Sequence, residues 1–91
     1  MTGASDYLAK RDDYRHTMDA SDDQILDLLN QRTEQVCKVG RLKAQHDDRK
    51  GSFYRPDREA RILRRLIESN EGPISSDALS AIFREIISQS L

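Results

Sequence analysis

The stretch Asp22-Asp23-Gln24-Ile25-Leu26-Asp27-Leu28-Leu29-Asn30-Gln31-Arg32, continuing through Val36 and Val39 to Lys43, decides the fold. At 100° per residue from Ile25, a helix gathers Leu28, Leu29, Val36 and Val39 within about 60° of one line, the apolar stripe of an amphipathic helix. Arg32 and Lys43 fall inside the same stripe, about 20° from its centre and on it, respectively. A helix that packs by this face carries two cations toward its own interior. An unpaired buried charge is costly, so the pattern predicts an anion waiting to be met between packed helices.

Toward the N-terminus the stripe extends through Met18 and Tyr14. From about Tyr7 to His46 there is no proline, and Gly40 is the lone glycine. The spacing predicts one long helix over residues 7–46, about 50–60 Å in length, after a flexible polar lead at residues 1–6. Gly40 costs about 1 kcal/mol against alanine inside a helix; close helix contact is one reason to keep it. So long a rod exceeds what the remaining half of a 91-residue chain can cover, which predicts a second copy and an entwined dimer.

Toward the C-terminus, residues 47–55 read as a charged loop with Gly51-Ser52. Pro56 opens a second helix, about 56–70, at a first-turn position where proline is tolerated, and Asp57 and Glu59 suit the dipole there. Its stripe is Ile62, Leu63 and Leu66, with Glu59 on it. Gly72 and Pro73 stop it. A third helix, about 75–91, is predicted to start at Ser75 or Ser76; with Ser75 as the cap, Ile74 and Leu79 form a hydrophobic staple around it. Leu79, Ile82, Phe83 and Ile86 form its stripe, which Ser90 continues. The expected class is all-α, with three helices per protomer, one very long, in an intertwined homodimeric bundle. Residues 7–91 form its single domain.

Composition narrows the partners. Charged residues make up 34% and hydrophobic residues 36% of the chain, and the net charge is −1, so no global field recruits nucleic acid. No apolar run reaches the ~18 residues that span a bilayer; no membrane partner is expected. Cys37 is the lone cysteine, which excludes an internal disulfide and fits a reducing cytoplasm. It lies on the flank of the stripe and reads as a small core residue. His16 and His46 lack ligand spacing; no metal is expected.

Each helix thus carries a polar residue on its packing face: Arg32 and Lys43, then Glu59, then Ser90. Taken alone, such an Arg or Glu usually snorkels out from the edge of a stripe. Together they point to a polar pocket in a helix bundle, lined mainly by cations. The sequence shows no nucleophile–base pair, no paired carboxylates and no phosphate loop. What remains is chemistry helped by orientation and electrostatics. Arg32 and Lys43, about 16 Å apart along the axis, suit a small molecule with two carboxylates.

The order Arg15, Asp22, Ile25, Leu28-Leu29, Arg32, Gly40, Lys43, Arg58-Glu59 and Ile86-Ile87-Ser88-Gln89-Ser90 resembles the all-helical class of chorismate mutases, from about Leu8 to Leu91. Phe53-Tyr54-Arg55-Pro56-Asp57-Arg58-Glu59-Ala60 and Ile82-Phe83-Arg84-Glu85-Ile86-Ile87-Ser88 are similar to the mutase domain of bacterial bifunctional chorismate mutase–prephenate dehydratases. The resemblance implies the Claisen rearrangement of chorismate to prephenate, in phenylalanine and tyrosine biosynthesis, with no cofactor. It implies that Arg32, with Arg15 reaching from the other protomer, holds the carboxylates of chorismate. Lys43 would donate to the ether oxygen, and Glu59 would accept from the ring hydroxyl. Arg58 would support that side, Arg55 would lie near the hydroxyl through its backbone, and Ser90 would contact a carboxylate. A second partner of the ether oxygen would fall about one turn beyond Ser90. The alternatives are an isochorismate pyruvate lyase of the same fold and a non-catalytic dimerisation or regulatory module.

Overall fold

The structure, a computed structural model, describes residues 3–46 and 55–90. The described residues form three helices: α1 (Gly3–Gln45), α2 (Pro56–Ser69) and α3 (Ser76–Gln89). Most of the expected loop, residues 47–54, lies outside the described residues, as does Leu91. The chain divides into two units, Met1–Lys38 and Val39–Leu91, and α1 runs through the boundary.

α1 has 43 residues, about 64 Å at the α-helical rise. Three of its hydroxyls bond to its own backbone. Thr17 Oγ1 donates to Asp13 O at 3.1 Å, Ser21 Oγ to Thr17 O at 3.2 Å and Thr33 Oγ1 to Leu29 O at 2.8 Å. Such back-bonding four residues earlier lets Ser and Thr sit inside a helix. Asp6 in the first turn and Lys43 in the last oppose the helix dipole. The expected start of the long helix is corrected: α1 begins at Gly3, four residues ahead of Tyr7, and takes in residues 3–6. Ala4 and Asp6 favour a first turn, which a search for apolar residues does not register.

The second unit contains an αα-hairpin. α2 and α3 pack together across a six-residue connection, a length that turns the chain back on itself. Ile62, Leu63 and Leu66 of α2 and Leu79, Phe83, Ile86 and Ile87 of α3 are half-buried, whereas most of their neighbours are exposed. Pro56 takes the first-turn position and the Glu59 N–H donates to Arg55 O at 3.0 Å, the opening bond of α2. Of the two serines offered, Ser75 is the cap of α3, its Oγ accepting from Ala78 N at 3.1 Å.

Asn70 organises the connection. Its backbone N–H donates to Ile67 O at 3.3 Å, closing α2. Its side chain accepts from Gly72 N at 3.0 Å and donates to Ile74 O at 2.8 Å. These bonds stand in for a backbone turn, the known use of Asn at such places. Asn70→Ala is expected to lower unfolding free energy by about 1–2 kcal/mol, and Ser75→Ala by about 1 kcal/mol. Both are read as an earlier urea midpoint by circular dichroism at fixed protein concentration. Unchanged midpoints in both variants would show that these bonds do not hold the hairpin.

No described residue is buried. On α1 the stripe is open: Tyr14 is 70%, Met18 62% and Leu28 61% exposed, and Tyr7 joins them at 64%. Cys37, expected as a small core residue, is exposed in the chain. An apolar stripe this long, left open in one chain, is the kind of surface that gains from packing against another element.

Candidate active site

In the first unit, Arg15 is exposed and Arg32 is half-buried on α1. They stand seventeen positions apart on one helix, about 25 Å along its axis. No small dicarboxylate spans that distance. If both residues hold one ligand, they come from different copies of the chain.

In the second unit, Lys43 is half-buried in the last turn of α1. Arg55 is exposed at the N-cap of α2 with extended backbone (φ −130°, ψ 84°) and no side-chain capping bond. Arg58 is exposed in the first turn, and Glu59 beside it is half-buried on the face that carries Ile62, Leu63 and Leu66. Ser90, half-buried, closes α3. The hairpin sets the first turn of α2 and the last turn of α3 at its same end.

Ser90 donates from both of its donors. Its backbone N–H reaches Ile87 O at 3.0 Å and its Oγ reaches Ile86 O at 2.7 Å. A hydroxyl has one hydrogen. A carboxylate contact from Ser90 therefore requires that hydrogen to turn away from Ile86.

Among the described residues, four charged side chains are not exposed: Arg11, Arg32, Lys43 and Glu59. Three of them are the charges placed on apolar stripes by helical spacing. Arg11 is the addition. It lies about 40° from the centre of the α1 stripe and one turn before Arg15, a position that the same projection would have flagged. Among the described residues, no group of His, Cys, Asp and Glu side chains is arranged to hold a metal ion. No helix there is long and apolar enough to cross a membrane.

The sequence model described as Chorismate mutase type II matches residues 14–91. The chain belongs to that family. All seven expected site residues, from Arg15 to Ser90, lie inside the matched stretch, and Arg11 lies outside it. A bifunctional chorismate mutase/prephenate dehydratase of Neisseria gonorrhoeae is 37% identical over 78 residues, covering 86% of this chain and 20% of that protein. The Stutzerimonas stutzeri protein of the same name is 37% identical over 79 residues, covering 85% and 22%. The chain thus spans about a fifth of the length of these curated relatives. A solved chorismate mutase from Thermus thermophilus superposes with a TM-score of 0.81 at 30% identity, covering 90% of this chain and 99% of that one.

If the inward charges serve a ligand and not the fold, they should behave differently from their stripe neighbours. Leu66→Ala, which removes packing from the α2 face, is expected to lower unfolding free energy by about 2 kcal/mol, allowing for its partial exposure. Glu59→Leu, on the same face two turns away, is expected to leave the urea midpoint unchanged or raised. A loss at Glu59 as large as that at Leu66 would make the carboxylate a structural group.

Proposed function

We propose that this chain is a chorismate mutase: it carries the rearrangement of chorismate to prephenate within a homodimer. The observation that carries the reading is the coincidence of the family match over residues 14–91 with half-burial of Arg32, Lys43, Glu59 and Ser90. In this reaction one molecule rearranges. The ether C–O bond breaks as a new C–C bond forms, and no atom enters or leaves. Catalysis then consists of holding the reactive shape and stabilising charge that grows on the ether oxygen.

In this proposal Arg32 and the partner copy's equivalent of Arg15 hold the two carboxylates by forked hydrogen bonds. Lys43 donates to the ether oxygen, Glu59 accepts from the ring hydroxyl, Arg58 supports that side, and Arg55 approaches through its backbone. Ser90 meets a carboxylate after releasing Ile86. The axial distance between Arg15 and Arg32 supports donation across the dimer. So does the open apolar stripe of α1, where Tyr14 is 70% and Met18 62% exposed. A cytoplasmic location belongs to the same reading, supported by a single cysteine that is exposed and unbridged.

The direct test is loss of chorismate absorbance with formation of prephenate by the purified chain. Release of pyruvate from isochorismate, with chorismate untouched, would assign the lyase reaction instead. Lys43→Ala is expected to lower kcat by about 10²-fold or more, with a much smaller change in KM, because its bond strengthens in the transition state. A large rise in KM at preserved kcat would make Lys43 a binding group only. Chorismate at about 100 times its Kd is expected to stabilise the fold by about 2.7 kcal/mol, an effect that Arg32→Ala abolishes. We also propose that this is the mutase segment of a fusion with prephenate dehydratase, as in the relatives' names. An endogenous protein several times heavier than 10.5 kDa supports that; one of equal mass removes it.

A further inference from the structure

Resting on the dimeric mutase reading above, we propose that Arg11 is a second cation lent by each protomer to its partner's site, a binding residue that draws in the dianionic substrate beside Arg15. Arg11 precedes Arg15 by one turn of α1, about 6 Å along the axis. It sits closer to the centre of the apolar stripe, about 40° away against about 80° for Arg15. Among the described charged residues up to Gln31, Arg11 alone is half-buried, its side chain 38% exposed. A side chain on the stripe faces whatever covers the stripe. If Arg15 reaches a neighbouring copy from the edge of that face, Arg11 reaches the same copy from nearer its middle.

Its present partner is weak. Arg11 Nε and Nη2 lie 3.4 and 3.3 Å from Asp12 Oδ1, and the Asp12 side chain is 58% exposed. A pair between adjacent residues in solvent contributes little, so a better-placed carboxylate displaces Asp12 readily. The two carboxylates of the substrate supply one, with the forked geometry that a guanidinium prefers. Arg11 also precedes the stretch matched by the family model, so the family pattern assigns it nothing. Its use is to raise the local concentration of a dianion at the site mouth, an effect carried by charge and screened by salt.

The test is steady-state mutase kinetics of the unaltered chain and its variants at low and high salt. At an ionic strength of about 0.01 M, Arg11→Gln is expected to raise KM about threefold to tenfold with kcat held within about twofold. The penalty is expected to shrink below about twofold near 0.5 M, where screening leaves a Debye length of only a few ångströms. Arg11→Lys recovers most of the loss, and Asp12→Asn leaves KM equal or lower. The urea midpoint of Arg11→Gln stays at that of the unaltered chain. An unchanged KM at low salt overturns the proposal. So does a loss that salt does not relieve and lysine does not recover, which marks a structural role. An unaltered chain that converts chorismate as a monomer overturns the donation across copies. One that neither converts nor binds chorismate overturns the mutase reading, and this inference with it.

Discussion

Taking a guanidinium or an ammonium out of water costs several kcal/mol unless an anion meets it. The helix that dominates this chain carries one of each among its apolar side chains. Arg32 and Lys43 are half-buried, as is Glu59 on α2, while nearly every other described charge is exposed. Leucine at any of these places would extend an apolar stripe and pack at no electrostatic cost. A face that keeps charges instead is shaped by something besides folding stability, and a doubly negative ligand is a reason to keep them. The family match was reached without this physical argument and is compatible with it.

The second constraint is cover. Isolated helices gain little from propensity alone, and most helical stability comes from packing an amphipathic face. α1 presents Tyr7, Tyr14, Met18, Ile25 and Leu28 largely open. A second copy that covers them would add stability and bring Arg15 within reach of a site whose Arg32 it cannot approach along its own helix. With such a copy, folding, association and the completeness of the site would be one equilibrium, because each would draw on the same face. Cys37, a small residue at the flank of that face, is likewise open in the single chain.

The hairpin shows the opposite economy. Its ends are fixed by short-range bonds: Pro56 and the Arg55 carbonyl begin α2, Asn70 closes it, and Ser75 begins α3. These bonds need no distant partner. They orient α2 and α3 so that Glu59 and Ser90, from opposite ends of the sequence of the hairpin, belong to one end of it in space. Exposed charge pairs nearby add little to this. Arg61 and Asp57 lie 3.4 Å apart, but their side chains are 69% and 71% exposed, and such pairs contribute a few tenths of a kcal/mol.

Helical period and caps are local properties, and what is local was legible in the residues themselves. The three helices, the proline at the start of α2, the Ser75 cap, and the stripe positions of Arg32, Lys43, Glu59 and Ser90 all follow from spacing along the chain. The start of α1 at Gly3 did not, because a first turn made of small and acidic residues leaves no apolar trace. Nor did the bonding of Asn70, which depends on how Gly72 and Ile74 curl around one side chain, or the Ser90 hydroxyl turned to Ile86. The withdrawal of Arg11 from solvent likewise needed coordinates, since exposure depends on how a long side chain folds over its own helix. Periodicity says which residues share a face; only packing in three dimensions settles how far each is drawn from water, and there the cost of an inward charge is decided.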